Sequence, residues 1–159
     1  GRKIEIELGT TRLQLKAEFQ TGLPIATEKA LRMAGMDDVV LVADRIQQKG
    51  NSIGGRMTTK SNKPDGVYSK YHKKARDKKN LQTSHVDLTF SGDLIRNWQL
   101  LSSDTKSAEI GFMNDSEADK AQYLEDYYGQ IFALTKDEEN TVIETFNSEI
   151  EVNFVKKIS

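Results

Sequence analysis

Tyr68 and Tyr71 stand three residues apart in a run of lysines, Lys70, Lys73, Lys74, Lys78 and Lys79, with Arg76 among them. Two kinds of chemistry interleave aromatic and basic residues in this way. Single-stranded nucleic acid is held by stacking on rings plus attraction to phosphate. Protein interfaces use Tyr and Arg as anchors, because these residues supply many of the hot spots. Covalent chemistry is less well supplied. Ser91-Gly92-Asp93 lacks the G-x-S-x-G spacing of a nucleophile elbow, since Thr89 stands where the first glycine should be, and a capping role accounts for Ser91. His72 and His85 are the only histidines. The lysines around His72 repel a metal cation, so both read as surface residues. Asp37-Asp38 and Asp137-Glu138-Glu139 read as solvated helix surface, because adjacent helical residues do not face each other. Gly54-Gly55-Arg56 does not have P-loop spacing. The chain has no cysteine, which removes disulfides, zinc thiolates and thiol nucleophiles. No enzyme activity, cofactor or metal is expected.

Charge placement favours the interface over nucleic acid. From Lys49 to Lys79 there are ten Lys/Arg against two acids, a net of +8. The remaining residues hold 13 basic and 22 acidic groups, a net of -9, and the two sum to the total of -1. A nucleic-acid binder usually carries its positive charge on the folded body, and here that body is acidic. A basic segment on such a body suits a contact with an acidic surface. Length and composition point to one domain, 1–159, with 51–84 as an extended basic arm within it. The chain has 159 residues, 36% of them hydrophobic, and a mean hydropathy of -0.61. Part of it should therefore lie outside a core. The longest apolar run, Val39 to Ala43, is too short for a bilayer, and Ile4, Ile6 and Leu8 alternate with charge rather than forming a secretory signal.

The elements that must position the tyrosines and lysines follow from periodicity. Residues 4–8 and 13–19 alternate as a half-buried hairpin. Ala30, Met33, Met36, Val40, Ala43 and Ile46 mark a helix over 27–49, capped by Thr27 and stopped at Gly50. Residues 51–84 are poor in large aliphatics and read as a protruding arm that orders on contact, with a helical turn or two between 69 and 79. Ser91 caps a short helix ending near Trp98, with Phe90 packed on Ile95. Strands follow at 99–103 and 108–113, then helices at 116–128 and 136–149, the second opened by a Thr135–Glu138 capping box. Residues 150–158 fit either a helix or a strand. Trp98, Phe90 and Phe112 read as core. The fold class expected is α+β, three main helices on a small, mainly antiparallel sheet, with the arm projecting.

The order of these pieces resembles the virion-morphogenesis proteins of tailed bacteriophages and prophages, which act at the neck and the tail end. The resemblance spans about residues 30–149. It rests on Tyr68, Ser69, Tyr71 and Arg76, then Val86-Asp87-Leu88-Thr89 and Ser91-Gly92-Asp93-Leu94. It continues through Ile110-Gly111-Phe112 and Lys120-Ala121 to Ile131-Phe132-Ala133-Leu134-Thr135 with Glu138. It implies a non-catalytic structural protein, a homo-oligomeric ring that completes the tail or joins it to the head. The implied partners are the connector or adaptor and tail-tube proteins. DNA passes through the ring without being tightly bound, and no membrane is involved. The implied location is the virion, assembled in the bacterial host cytoplasm. The assembly contacts expected on the arm are Arg56, Tyr68, Lys70, Tyr71, Lys73, Lys74 and Arg76. The alternative is a nucleic-acid-binding module that uses the same residues.

Overall fold

The alternating segments pair and the 3.6-period segments coil, which gives a mixed helix-and-strand fold. The structure, a computed structural model, describes residues 2–7, 10–15, 24–58, 68, 70–89 and 92–158, with side chains described from 28 to 150 within these ranges, Lys70 excepted. The first helix begins at Pro24, so Thr27 lies within it rather than capping it, and the short helix Asp93–Arg96 has Gly92 rather than Ser91 at its cap position. The expected packing of Phe90 lies outside the described residues. Strands β1 (Arg2–Glu7) and β2 (Thr10–Leu15) form the first hairpin. Strands β5 (Trp98–Ser103) and β6 (Ser107–Phe112) form the last. They join in one antiparallel sheet of order β1-β2-β6-β5. The β5–β6 turn is tied by Asp104, whose Oδ1 accepts the N–H groups of Lys106 at 2.7 Å and Ser107 at 2.8 Å. The ladder slips between Leu100 and Ser102, so Leu101 is an extra residue on β5, and it is exposed. Strands β3 (Asn51–Ser52) and β4 (Gly55–Arg56) make a separate small ribbon.

Helix α1 (Pro24–Asp44) packs on β5 and β6 and also on α5 (Lys136–Ile158). Close approach to the sheet is possible because residue 35 is glycine. A Cβ there would lie 2.8 Å from Leu100 Cδ1 and 3.3 Å from Ala108 Cβ. The helix begins with Pro24, whose missing N–H costs nothing at a first position. It ends in a π-helical turn, Arg45–Lys49, stopped by Gly50 in the left-handed region at φ 69°. Helices α2 (Lys70–Lys78), α3 (Asp93–Arg96) and α4 (Asp115–Tyr128) complete the set. Asn114 caps α4 by accepting the Glu117 N–H at 2.9 Å. The capping box at α5 is present: Thr135 N–H donates to Glu138 Oε1 at 3.0 Å, and Glu138 N–H to Thr135 Oγ1 at 3.2 Å. The helix continues to Ile158, which resolves the choice at its end. Trp98, Phe112 and Phe132 pack at the centre in tilted and edge-to-face contacts, with ring centroids 4.9 to 5.3 Å apart.

Two acidic readings are corrected by this packing. Asp38 is fully buried rather than solvated, and neither carboxyl oxygen has a hydrogen-bond partner. Glu138 is half-buried and paired with Arg45, whose Nε lies 3.1 Å from its Oε2 and whose Nη2 donates to Ala133 O at 2.6 Å. Asp38 lies on α1 and Glu138 on α5, and the packing of the two helices lets the Glu138 charge act on Asp38. Burial, reinforced by the Glu138 charge and partly opposed by Arg45, raises the Asp38 pKa from 3.8 to about 8. The folded chain therefore keeps a proton that the unfolded chain has released across that window. Unfolding then gives up a proton, and stability falls as pH rises from about 4 to about 8. Asp38→Asn should flatten this slope. The variant should gain stability over the natural chain by an amount that grows from about pH 5 to about pH 8, reaching on the order of a few kcal/mol. Urea unfolding across that range checks it, and parallel curves for the two proteins would refute it.

Candidate interaction site

Helix α2 presents two different faces. Tyr71, Lys73, Lys74, Asp77, Lys78 and Lys79 are exposed, Tyr71 to 85%. Arg76 points the other way and is 2% exposed. In a Lys-rich run this one Arg has the planar fork that can satisfy several acceptors at once. Its Nε donates to Gln82 O at 2.9 Å, its Nη1 to Thr89 O, and its Nη2 to both Asp87 carboxylate oxygens at 3.0 Å. The guanidinium carbon lies 4.5 Å from the centre of the Tyr68 ring. Three separate stretches of chain, 68, 76 and 82–89, thus converge on one cation.

The carboxylate of Asp87 is equally occupied. Its Oδ2 accepts from Gln82 Nε2 at 2.8 Å, and its Oδ1 from Thr89 N–H at 2.9 Å. Tyr68 O–H donates to Oδ1 at 3.4 Å and accepts the Asp87 N–H at 3.2 Å. The Asp87-to-Thr89 bond closes an Asx-turn, which holds Leu88 in the left-handed region at φ 58°. Burial pushes the Tyr68 phenol above its ordinary value, with the Asp87 amide bond opposing. Tyr128, at the end of α4 with Tyr127 and Tyr68 beside it, is pushed up to about 12, burial leading. His72 meets the Tyr68 ring edge-on at 5.0 Å, and its pKa is lowered by burial first and then by Arg76.

The base of the same segment is also tied down. Ile53 N–H donates to Gln130 O at 2.9 Å, and Met57, 1% exposed, donates its N–H to Gly50 O at 2.8 Å. His85 Nε2 lies 2.6 Å from Gln47 O, so it carries the proton there and satisfies a carbonyl at the end of α1.

Of the seven contacts expected from the sequence, Tyr71, Lys73 and Lys74 lie together on the exposed face of α2. Lys70 begins that helix, and its side chain is outside those described. Arg56 is exposed on the small ribbon, where its Nη2 donates to Ser84 O at 3.1 Å. Tyr68 and Arg76 are corrected: both are buried. The expectation that 51–84 projects as an arm is corrected for 51–57 and for Tyr68, Arg76 and Gln82, which pack on the body. Residues 59–67 lie outside the described residues. Asp87 and Gln82 are further partners in the cluster that the sequence pattern did not single out. The available signal was the single Arg in a Lys run, followed by a buried-strand-like Val86-Asp87-Leu88. Among the described residues, no group of three or more His, Asp or Glu could hold a metal, and no helix is long and apolar enough to cross a membrane.

No family model, curated protein or solved structure matches the chain.

Removing Arg76 leaves Asp87 buried and short of its strongest donor. Arg76→Ala should cost about 3–5 kcal/mol. Arg76→Lys should recover only part of this, since one ammonium cannot reach the Gln82, Thr89 and Asp87 acceptors together. Lys73→Glu and Lys74→Glu, on the exposed face, should stay within about 0.5 kcal/mol of the natural chain. Denaturant unfolding of the four variants checks the contrast. Equal small losses throughout would mean that the cluster does not hold the fold.

Proposed function

We propose that this chain is a structural protein of the phage or prophage neck or tail terminus, one subunit of a ring that completes the tail or joins it to the head. One observation supports this reading above the others. Tyr68, Arg76, Asp87 and Thr89, on which the resemblance rests as separate pieces of sequence, form one bonded cluster in the fold. A spacing pattern shared for that reason is a fold pattern, so it carries more weight than a string of short motifs. The cluster also gives the basic face a purpose. It anchors α2 through the buried Arg76, and Tyr71, Lys73, Lys74 and Lys78 stand exposed. A preordered helix loses less freedom on docking than a loose arm would. The acidic remainder of a second copy is a matching surface, and contact of this kind sets orientation and register more than raw affinity. The partners of the ring are the connector or adaptor and the tail tube, its place is the virion, and DNA passes without tight binding.

The nucleic-acid reading draws on the same outward face, because an exposed Tyr beside lysines could stack on a base. The two readings separate on one set of variants. Lys70, Lys73 and Lys74 changed together to Glu should keep the fold, because Arg76 is left in place. The natural chain should self-associate at low salt and disperse near about 0.5 M salt, where surface charge is screened. The triple variant should stay dispersed. Native mass spectrometry reads the assembly, and a titration with single- and double-stranded DNA at physiological salt reads the alternative. Tight DNA binding lost in the triple variant, with self-association unchanged, would replace the neck reading with the nucleic-acid one.

A further inference from the structure

A cleft of about 480 Å³ opens between α4 and the turn that carries Leu88. Its apolar lining comes from Leu88, Leu94 and Leu124, with Tyr123, 71% exposed, at its rim. The polar wall is Glu117 and Asp119, with Lys120 beside them. Glu117 is the unusual member. It is 5% exposed, its Oε1 is 3.0 Å from Lys120 Nζ, and its buried Oε2 has no hydrogen-bond partner. A carboxylate oxygen kept from water and left unpaired is unfavourable relative to solution, because nothing replaces the donors that water supplied. The Lys120 ammonium does not answer this need. Its side chain is 60% exposed, and it serves the other oxygen.

An apolar trough beside an exposed acidic residue, Asp119, fits an aromatic or aliphatic anchor carrying a cation. On this chain, the exposed face of α2 has that composition. Tyr71, Lys74 and Lys78 recur at i, i+3 and i+7, the spacing by which a helix enters a groove. All three are exposed, while Arg76 anchors the opposite side of the helix. Their charge is opposite to that of Glu117 and Asp119. Resting on the ring reading above, we infer that the α4 cleft of one copy receives the α2 face of a second copy. The Tyr71 ring enters between Leu88, Leu94 and Leu124. The Lys74 and Lys78 ammonium groups turn to the exposed carboxylate of Asp119. The turn that forms one wall of the cleft is the Asx-turn held by Asp87, so the cluster that fixes the docking helix also shapes the receiving cleft.

Photo-cross-linking of the full chain tests this. Tyr71 is replaced by p-benzoylphenylalanine, and copies with light and heavy isotopes are mixed so that links between copies can be recognised by mass. The expected links join position 71 to residues 117–124 or 88–94 of another copy. In parallel, Asp119→Lys and Lys74→Glu should each weaken self-association at least tenfold, read by sedimentation, and their combination should recover most of the loss. Both positions are exposed, so folding is not at stake. Links that map elsewhere, or single reversals without effect, overturn this pairing while the ring reading stands if a closed oligomer still forms. Links in the cleft from a chain that also binds DNA tightly keep the pairing and remove the neck reading. A chain that stays monomeric at every concentration and salt overturns both.

Discussion

Burying a guanidinium obliges the chain to surround it with acceptors, and that obligation organises the middle of this protein. Arg76 draws in the carbonyls of Gln82 and Thr89, the carboxylate of Asp87 and the face of Tyr68. None of these groups lies in a regular sheet or long helix. Apolar residues are sparse from 70 to 85, so hydrophobic burial alone could not order this stretch. A hydrogen-bonded ion pair does so by direction rather than by area. Such pairs add little net stability over an apolar substitute, but half of one is costly, so the arrangement is held as a unit.

The same pattern recurs at the C-terminal end of α1. Arg45 gathers Glu138, the carbonyl of Ala133 and the carbonyl of Asn51, and so joins the end of α1, the start of α5 and the small ribbon. In each place an arginine closes a region where loops meet, while the aromatic cluster of Trp98, Phe112 and Phe132 closes the region where helices and sheet meet. The fold thus divides its work between apolar packing at the centre and two ionic clasps outside it. Asp38, buried and unpaired beside the second clasp, is a cost that this arrangement carries.

Periodicity made the regular elements legible. Alternation at 4–8 and 13–19, and helical spacing through Ala30 to Ile46, depend only on neighbours in sequence; the long helices and the second hairpin stand where these patterns put them, while the first hairpin is shifted, with its second strand at Thr10–Leu15 instead of 13–19, and 16–19 lie outside the described residues. Capping chemistry is equally local, which is why Thr135 and Glu138 could be paired in advance. Arg76 could not be read in the same way. Its partners lie six to thirteen residues away in irregular backbone, and its setting among lysines pointed outward. Asp38 failed for a related reason: its burial arises only when α1 packs in the folded chain, and nothing near it in sequence reports that packing. For the interaction site, the exposed half, Tyr71, Lys73 and Lys74, was legible from composition, whereas the buried half that aims it was not.

The slip at Leu101 has a consequence for how copies can join. In the four-stranded sheet, β1 and β5 are the outer strands. On β5 the extra residue breaks the even spacing of backbone donors and acceptors that an incoming strand would need. The β1–β2 pairing runs without such a break. Backbone addition is therefore polar: a visiting strand finds a regular template on one side of the sheet and an irregular one on the other. Two copies meeting through β1 would show only interrupted edges outward, and the ribbon would terminate there instead of lengthening into a fibre.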